Sequence, residues 1–303
     1  MNPELNKDTS EFFFDDEPLE HILYDDSLKG RTVANLYLQV RESVIQIESA
    51  YNGDNIQDAI AMASELGRSG TPISQEMYLR LIRVMRTMVP DYPNPVMIFD
   101  LLPLKPLLEQ IWMMALDKEN KALQLKVGPL LYKWYELHGK YRDAREVLDR
   151  LIGINRELKN HFDEAVYLNN FAFEYTLERR FREAMPLFEK AASMFEQLNN
   201  KFQYANSLAN YWICRFDLGD IDDLERIDSE LKTLSGILNQ SGHWQERKPL
   251  ILLAQIEERR GNIQNAIQLV ERAIESCSQS KTRYPEQDAI YLEYLKRKQA
   301  DYQ

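Results

Sequence analysis

The chain has 303 residues, 44% of them apolar and 28% charged, with a net charge of −11. That is an ordinary composition for a soluble chain with enough length to bury a core. The acidic balance excludes a phosphate-backbone binder, which needs clustered Lys and Arg. Eleven glycines and twelve prolines leave little room for loops, and the composition leans towards helix.

Residues 1–28 form an acidic-aromatic segment that contributes −8 of the charge, so the remaining chain carries only −3. Its centre reads SEFFFDDEPLEHILYDD. Aromatic residues are uncommon in solvated acidic tails and favour burial, which leaves three readings. PLEHILYDD forms a short helix capping the first repeat; or Phe12, Phe13, Phe14, Asp15 and Asp16 dock onto another protein; or the same residues occupy this protein's own groove, or a neighbour's, as a built-in ligand. The segment lacks the basic region, apolar core and small-residue cleavage site of a secretory signal. The most apolar stretch, VMIFDLLPLKPLLEQIWMMAL, is interrupted by charges and prolines, so no membrane span is expected. Cys214 and Cys277 are far apart and outside any CxxC, which suggests neither a disulfide framework nor zinc and fits a reduced, cytoplasmic setting.

Helical periodicity then runs to the end of the chain. Degenerate pairs are expected over 29–118, at about 31–51/55–67 and 74–89/97–117. The proline-rich PDYPNPVMIFDLLPLKP between the last two bends the array or hinges it. Regular pairs follow over 119–282, at 119–138/141–158, 161–178/181–198, 201–218/221–240 and 243–260/263–280. A capping helix at 285–302 fills the C-terminal segment 283–303. Four turns set the register: HGKYRDA ending at Ala144, ERRFREA at Ala184, LGDIDDL at Leu224 and RGNIQNA at Ala266, spaced 40, 40 and 42 residues apart. Each has a turn residue, then a bulky apolar residue two places on, then in three of four a small residue for close packing. The expected fold is all-α, a right-handed superhelix of about six antiparallel helix pairs plus the capping helix.

The stretch YLNNFAFEYTLERRFREAMPLFEKAASMFEQL carries Asn169-Asn170, Ala172, Tyr175, Phe181, Ala184, Pro186, Phe188 and Ala191. It resembles a tetratricopeptide repeat of the longer, 40–42-residue class found in kinesin light chains and many bacterial regulators. Neighbouring units match more loosely, through Gly139, Tyr141 and Ala144, Gly219 and Ile221, and Gly261, Ile263, Ala266 and Ala273. The resemblance implies a protein-interaction scaffold whose first helices line a concave groove. In such families Asn residues on those helices bond the backbone of an extended peptide.

Counting back nine residues from Gly139, Arg179, Gly219 and Gly261 gives Leu130, Asn170, Asn210 and Leu252; thirteen residues back stand Lys126, Val166, Asn206 and Lys248. An Asn amide offers both donor and acceptor, and Asn is a poor helix former that needs a reason to sit mid-helix. Asn170 and Asn210 are therefore expected to form a two-rung ladder beside Asn169 and Asn206. Lys126 and Lys133 lie at one end, and Arg247, Lys248 and Arg259 towards the other, which suits an acidic or carboxylate-bearing ligand. Phe173 and Phe216 are expected on the inner side, offering apolar pockets. Trp212 is expected to pack in the core.

His21, His138, His161 and His243 fall in different units, and no phosphate loop or nucleophile motif occurs. The reading is therefore a non-enzymatic adaptor or regulator without cofactor or metal, bound to a protein partner through an extended peptide. A homo-oligomer is compatible with it. The rival readings are a structural subunit packed on a folded partner and a bacterial-type regulator that senses peptides.

Overall fold

The computed structural model describes residues 28–53, 55–69, 75–88, 104–220, 224–240, 244–277 and 284–301. Among these residues there are thirteen α-helices and no strand. In chain order they are α1 (Leu28–Asn52), α2 (Ile56–Ser69), α3 (Gln75–Met88), α4 (Lys105–Asp117), α5 (Lys121–Leu137), α6 (Tyr141–Glu157), α7 (His161–Leu177), α8 (Phe181–Gln197), α9 (Lys201–Leu218), α10 (Leu224–Gln240), α11 (Arg247–Arg259), α12 (Ile263–Cys277) and α13 (Tyr284–Asp301). A 3-10 turn, Trp244–Glu246, leads into α11. No described helix is long and apolar enough to cross a membrane. The chain divides into two compact units, Met1–Lys140 and Tyr141–Gln303.

In the first unit α1 packs on both α2 and α3, α2 on α4, and α5 on α3 and α4. The contact face of α1 is Val40, Val44 and Ile47, all essentially buried, at the three- and four-residue steps that place side chains on one face. Arg80 of α3 pairs with Glu48 of α1, its Nε donating over 3.0 Å. Helix α4 lies against α2, whereas the periodicity paired it with α3. The reason is Gly67: α2 and α4 approach so closely that a Cβ there would stand 2.5 Å from the backbone nitrogen of Leu107.

In the second unit each helix from α6 to α13 lies against the next, and α9 also touches α7 and α11. Apolar stripes at helical spacing explain the pairing. Phe181, Ala184, Phe188, Ala191, Ala192 and Phe195 of α8 are buried, and they meet Ala165, Leu168 and Ala172 of α7. Trp212 is buried at 3% exposure among Phe216, Ile227, Leu231 and Ile256, in the core role expected of it. Observed helix ends agree with the expected 161–178, 181–198 and 201–218 to within a residue.

The turns obey a shorter period than the sequence reading found. Positive φ recurs at Glu119, Gly139, Lys159, Arg179, Asn199 and Gly219, in steps of 20, and again at Gly261. At each, the residue after it donates its backbone N–H five residues back, as in Lys140 to Tyr135 O (2.8 Å), Asn160 to Asn155 O (2.9 Å) and Asn200 to Phe195 O (2.9 Å). This is the left-handed helix stop. Glycine was the visible signal for it, and Glu119, Lys159 and Asn199 adopt the same geometry without one. Their turns carry a different mark. Asn120, Asn160 and Asn200 cap the next helix, each side chain accepting from the backbone N–H three residues on.

Candidate binding surface

The alternate helices α7, α9 and α11 bring their polar positions together along one side of the second unit. Asn169 of α7 accepts from two side chains of α9: Ser207 Oγ at 3.0 Å and Asn210 Nδ2 at 3.4 Å. One turn earlier on α9, the Asn206 Oδ1 accepts from Lys248 Nζ of α11 at 2.8 Å. Ser207 is fully buried, while Asn206 and Asn210 keep 7% and 5% of their surface. These contacts set the amide orientations by their hydrogen-bond partners. Asn206 has its oxygen engaged and its Nδ2 donor open; Asn210 has its nitrogen engaged and its Oδ1 acceptor open, and neither open atom is sealed from solvent. Four residues apart on a helix, the two amides lie on the same face.

Lys248 is half-buried, and loss of hydration pushes its amine down to about 7, with the adjacent Arg247 guanidinium adding repulsion. Arg247 itself makes a two-point pair with Asp288 of α13, its Nε and Nη2 at 2.5 and 2.6 Å from the carboxylate oxygens. At the other end of α11, Arg259 lies over the Phe216 ring of α9, 5.5 Å from its centroid. Glu258 accepts from Tyr291 (2.8 Å), Tyr294 (2.9 Å) and Lys298 (2.7 Å), which ties α13 to α11. Burial would raise its pKa, but these three donors outweigh burial and hold it below the usual carboxylate range.

The expected site residues thus separate into groups. Asn169, Asn206, Asn210 and Lys248 form one connected surface, and Phe216 and Arg259 form a second contact between the same two helices, α9 and α11. Asn170 is half-buried on α7, next to Asn169, which is the residue bonded to the α9 amide. Phe173 is partly buried against the cluster of Ala172, Phe181 and Phe188 and so helps to close the core. Lys126 and Lys133 belong to the first unit, where Lys126 is exposed and Lys133 is paired with Glu136 at 2.8 Å. Phe12, Phe13, Phe14, Asp15 and Asp16 lie outside the described residues. Ser207 and Asp288 were missed: a buried serine and a carboxylate 41 residues from its arginine leave no periodic mark.

Among the described residues no cluster of three His, Cys, Asp or Glu side chains has the arrangement of a metal site. No protein-family model matches the chain, and no curated protein resembles it in sequence. Solved structures resemble it in fold. BtubC (BKLC) from P. vanneervenii is 18% identical with a TM-score of 0.50, covering 79% of this chain and 88% of that one. The apo form of RapI is 13% identical with a TM-score of 0.54, covering 87% and 72%. A signal-transduction ATPase with numerous domains and a tetratricopeptide repeat sensor, from Pyrococcus horikoshii, is 10% identical with a TM-score of 0.54 over 97% of this chain. The fold is that of a tetratricopeptide-like repeat protein. The chain spans half the length of the Pyrococcus protein, and at these identities the likeness concerns the tetratricopeptide-like fold alone.

Proposed function

We propose that this chain is a non-enzymatic scaffold or adaptor that holds an extended peptide segment of a protein partner along α7, α9 and α11. One observation carries the reading. Asn206 and Asn210 stand one turn apart on α9, each with one amide atom held by a neighbouring helix and the other open, one a donor and one an acceptor. An extended peptide presents C=O and N–H groups in alternation, so this pair matches backbone without reading side chains. The amides are also fixed in advance, which lowers the entropy cost of capture. On α7 Asn170 follows Asn169, and on α11 Arg259 adds positive charge. The repeat sensor named in the Pyrococcus protein is a parallel for a recognition role on this fold.

The test is a set of peptides selected from a random display library on the full chain. Each is titrated against wild type and against the Asn206→Ala/Asn210→Ala and Asn170→Ala/Asn210→Ala double variants. Two backbone hydrogen bonds at about 0.5–1.5 kcal/mol each predict a loss of roughly 5- to 150-fold for the first variant, with unchanged circular dichroism. Unchanged affinity removes the mechanism. Binding only to folded domains, insensitive to both variants, supports a structural subunit instead.

A further inference from the structure

The half-buried cations of the second unit follow one rule with one exception. Arg145 holds Glu178 (2.7 Å), Arg215 holds Asp220 (3.1 Å), Arg247 holds Asp288 and Lys298 holds Glu258 (2.7 Å). Lys248 is the fifth among the described residues, and its contact is the neutral Asn206 oxygen. Burying a cation without a counter-charge is costly. Among the described residues no acid pairs with it from the surrounding elements. Helix α9 presents only the Asn206 amide, and α13 presents Asp288, which is committed to Arg247. The 3-10 turn presents Glu246, which is committed to Arg272 and Ser235. Arg247 is the charged group that acts on the amine, and it repels; α10 and α12 contribute no charge there.

The opposite side of α11 shows the contrast. A cleft of about 530 Å³ between α10, α11 and α12 also carries charges, but each is matched internally: Lys232 by Asp228, Arg272 by Glu246 and Glu257 by Arg260. That cleft asks for no ion. The Lys248 position does.

We propose that Lys248 anchors a carboxylate of the bound peptide and that this anion enters together with one proton, taken from solvent by the amine. The inference rests on the peptide-binding reading and specifies its ligand class and linkage. In the free protein, burial and Arg247 hold the amine near neutrality. A carboxylate at hydrogen-bond distance supplies the missing charge and restores the ammonium form. In the balance, one neutral amine and one proton from the buffer become one ammonium paired with one carboxylate. The sign follows: the anion binds best at acidic pH and progressively worse as pH rises above the free amine's value.

The probe is hexaglutamate, titrated into the full chain by calorimetry in phosphate and in Tris, whose ionisation heats differ. With the free amine at about 7, uptake should approach about 0.9 proton at pH 8 and fall to about 0.1 at pH 6. Affinity should weaken roughly 90-fold between pH 6 and pH 9. Lys248→Arg, charged at every such pH, should bind with no uptake and a flat profile, and Lys248→Met should bind at least tenfold more weakly at pH 6. The buffer comparison uses the unmutated chain, so a variant that fails to fold leaves the decision intact. Binding without proton uptake overturns this inference and leaves the peptide reading standing. No hexaglutamate binding at millimolar concentration overturns it as well, while the selected peptides still decide the peptide reading separately.

Discussion

Replacing Asn169 by Ala tests whether the α7–α9 amide contact is built as described. The variant removes the acceptor of the Ser207 hydroxyl at 3.0 Å and of the Asn210 amide at 3.4 Å. The first bond has full geometry and a fully buried donor, so its loss leaves a desolvated hydroxyl at about 1–2 kcal/mol. The second is long and contributes about 0.5 kcal/mol or less. The sum, about 1.5–2.5 kcal/mol, is expected as a fall of about 3–10 °C in Tm for a unit of this size. Because the double variant Asn169→Ala/Ser207→Ala leaves no buried hydroxyl without an acceptor, it should cost less than the separate losses combined, with a coupling of about 1 kcal/mol. Urea unfolding of the four proteins, followed by circular dichroism, measures it. Costs that add to within about 0.3 kcal/mol would refute the Ser207–Asn169 contact.

Three further outcomes follow from the fold. Lys159→Gly should stabilise by about 0.5–1 kcal/mol, because a non-glycine residue at φ 56 is strained by more than glycine loses in chain entropy; thermal unfolding reads it. Gly67→Ala should destabilise by about 1–2 kcal/mol, because a Cβ 2.5 Å from the Leu107 nitrogen meets backbone and its repulsion exceeds the roughly 1 kcal/mol of helix propensity that alanine gains. Lys248→Met should stabilise the free protein by about 1–2 kcal/mol at pH 6 and by progressively less towards pH 10, measured by urea unfolding. The sign is fixed by the direction of the shift. An amine lowered from 10.5 to about 7 on folding penalises the folded state below 7, and the penalty disappears as pH rises towards the unfolded value.

Most of the fold was legible in the chain. Apolar stripes gave the helices of the second unit, and the 40-residue turn spacing gave their order, since both are local consequences of helical geometry. The half-period was hidden because Glu119, Lys159 and Asn199 take a conformation that glycine advertises and they do not. The site was legible in part. Asn206 and Lys248 occupy equivalent positions in successive repeats, thirteen residues before their turns, and equivalence placed them at the same height on touching helices. Asn170 and Asn210 are equally equivalent, while the contact between α7 and α9 runs through Asn169, whose oxygen accepts from both Ser207 and Asn210. Counting fixes which face a residue occupies. It does not show which side chains of touching helices bond to each other, as Ser207 and Asn210 do to Asn169.

Backbone capture is tested most directly by N-methylating, one at a time, each peptide bond of a library-selected peptide and measuring affinity for the full chain. We expect one position, facing the Asn210 Oδ1 acceptor, where the lost N–H costs about tenfold or more, and where the cost vanishes in Asn210→Ala. A flat N-methylation profile, with affinity lost instead on changing the peptide's side chains, would contradict the account.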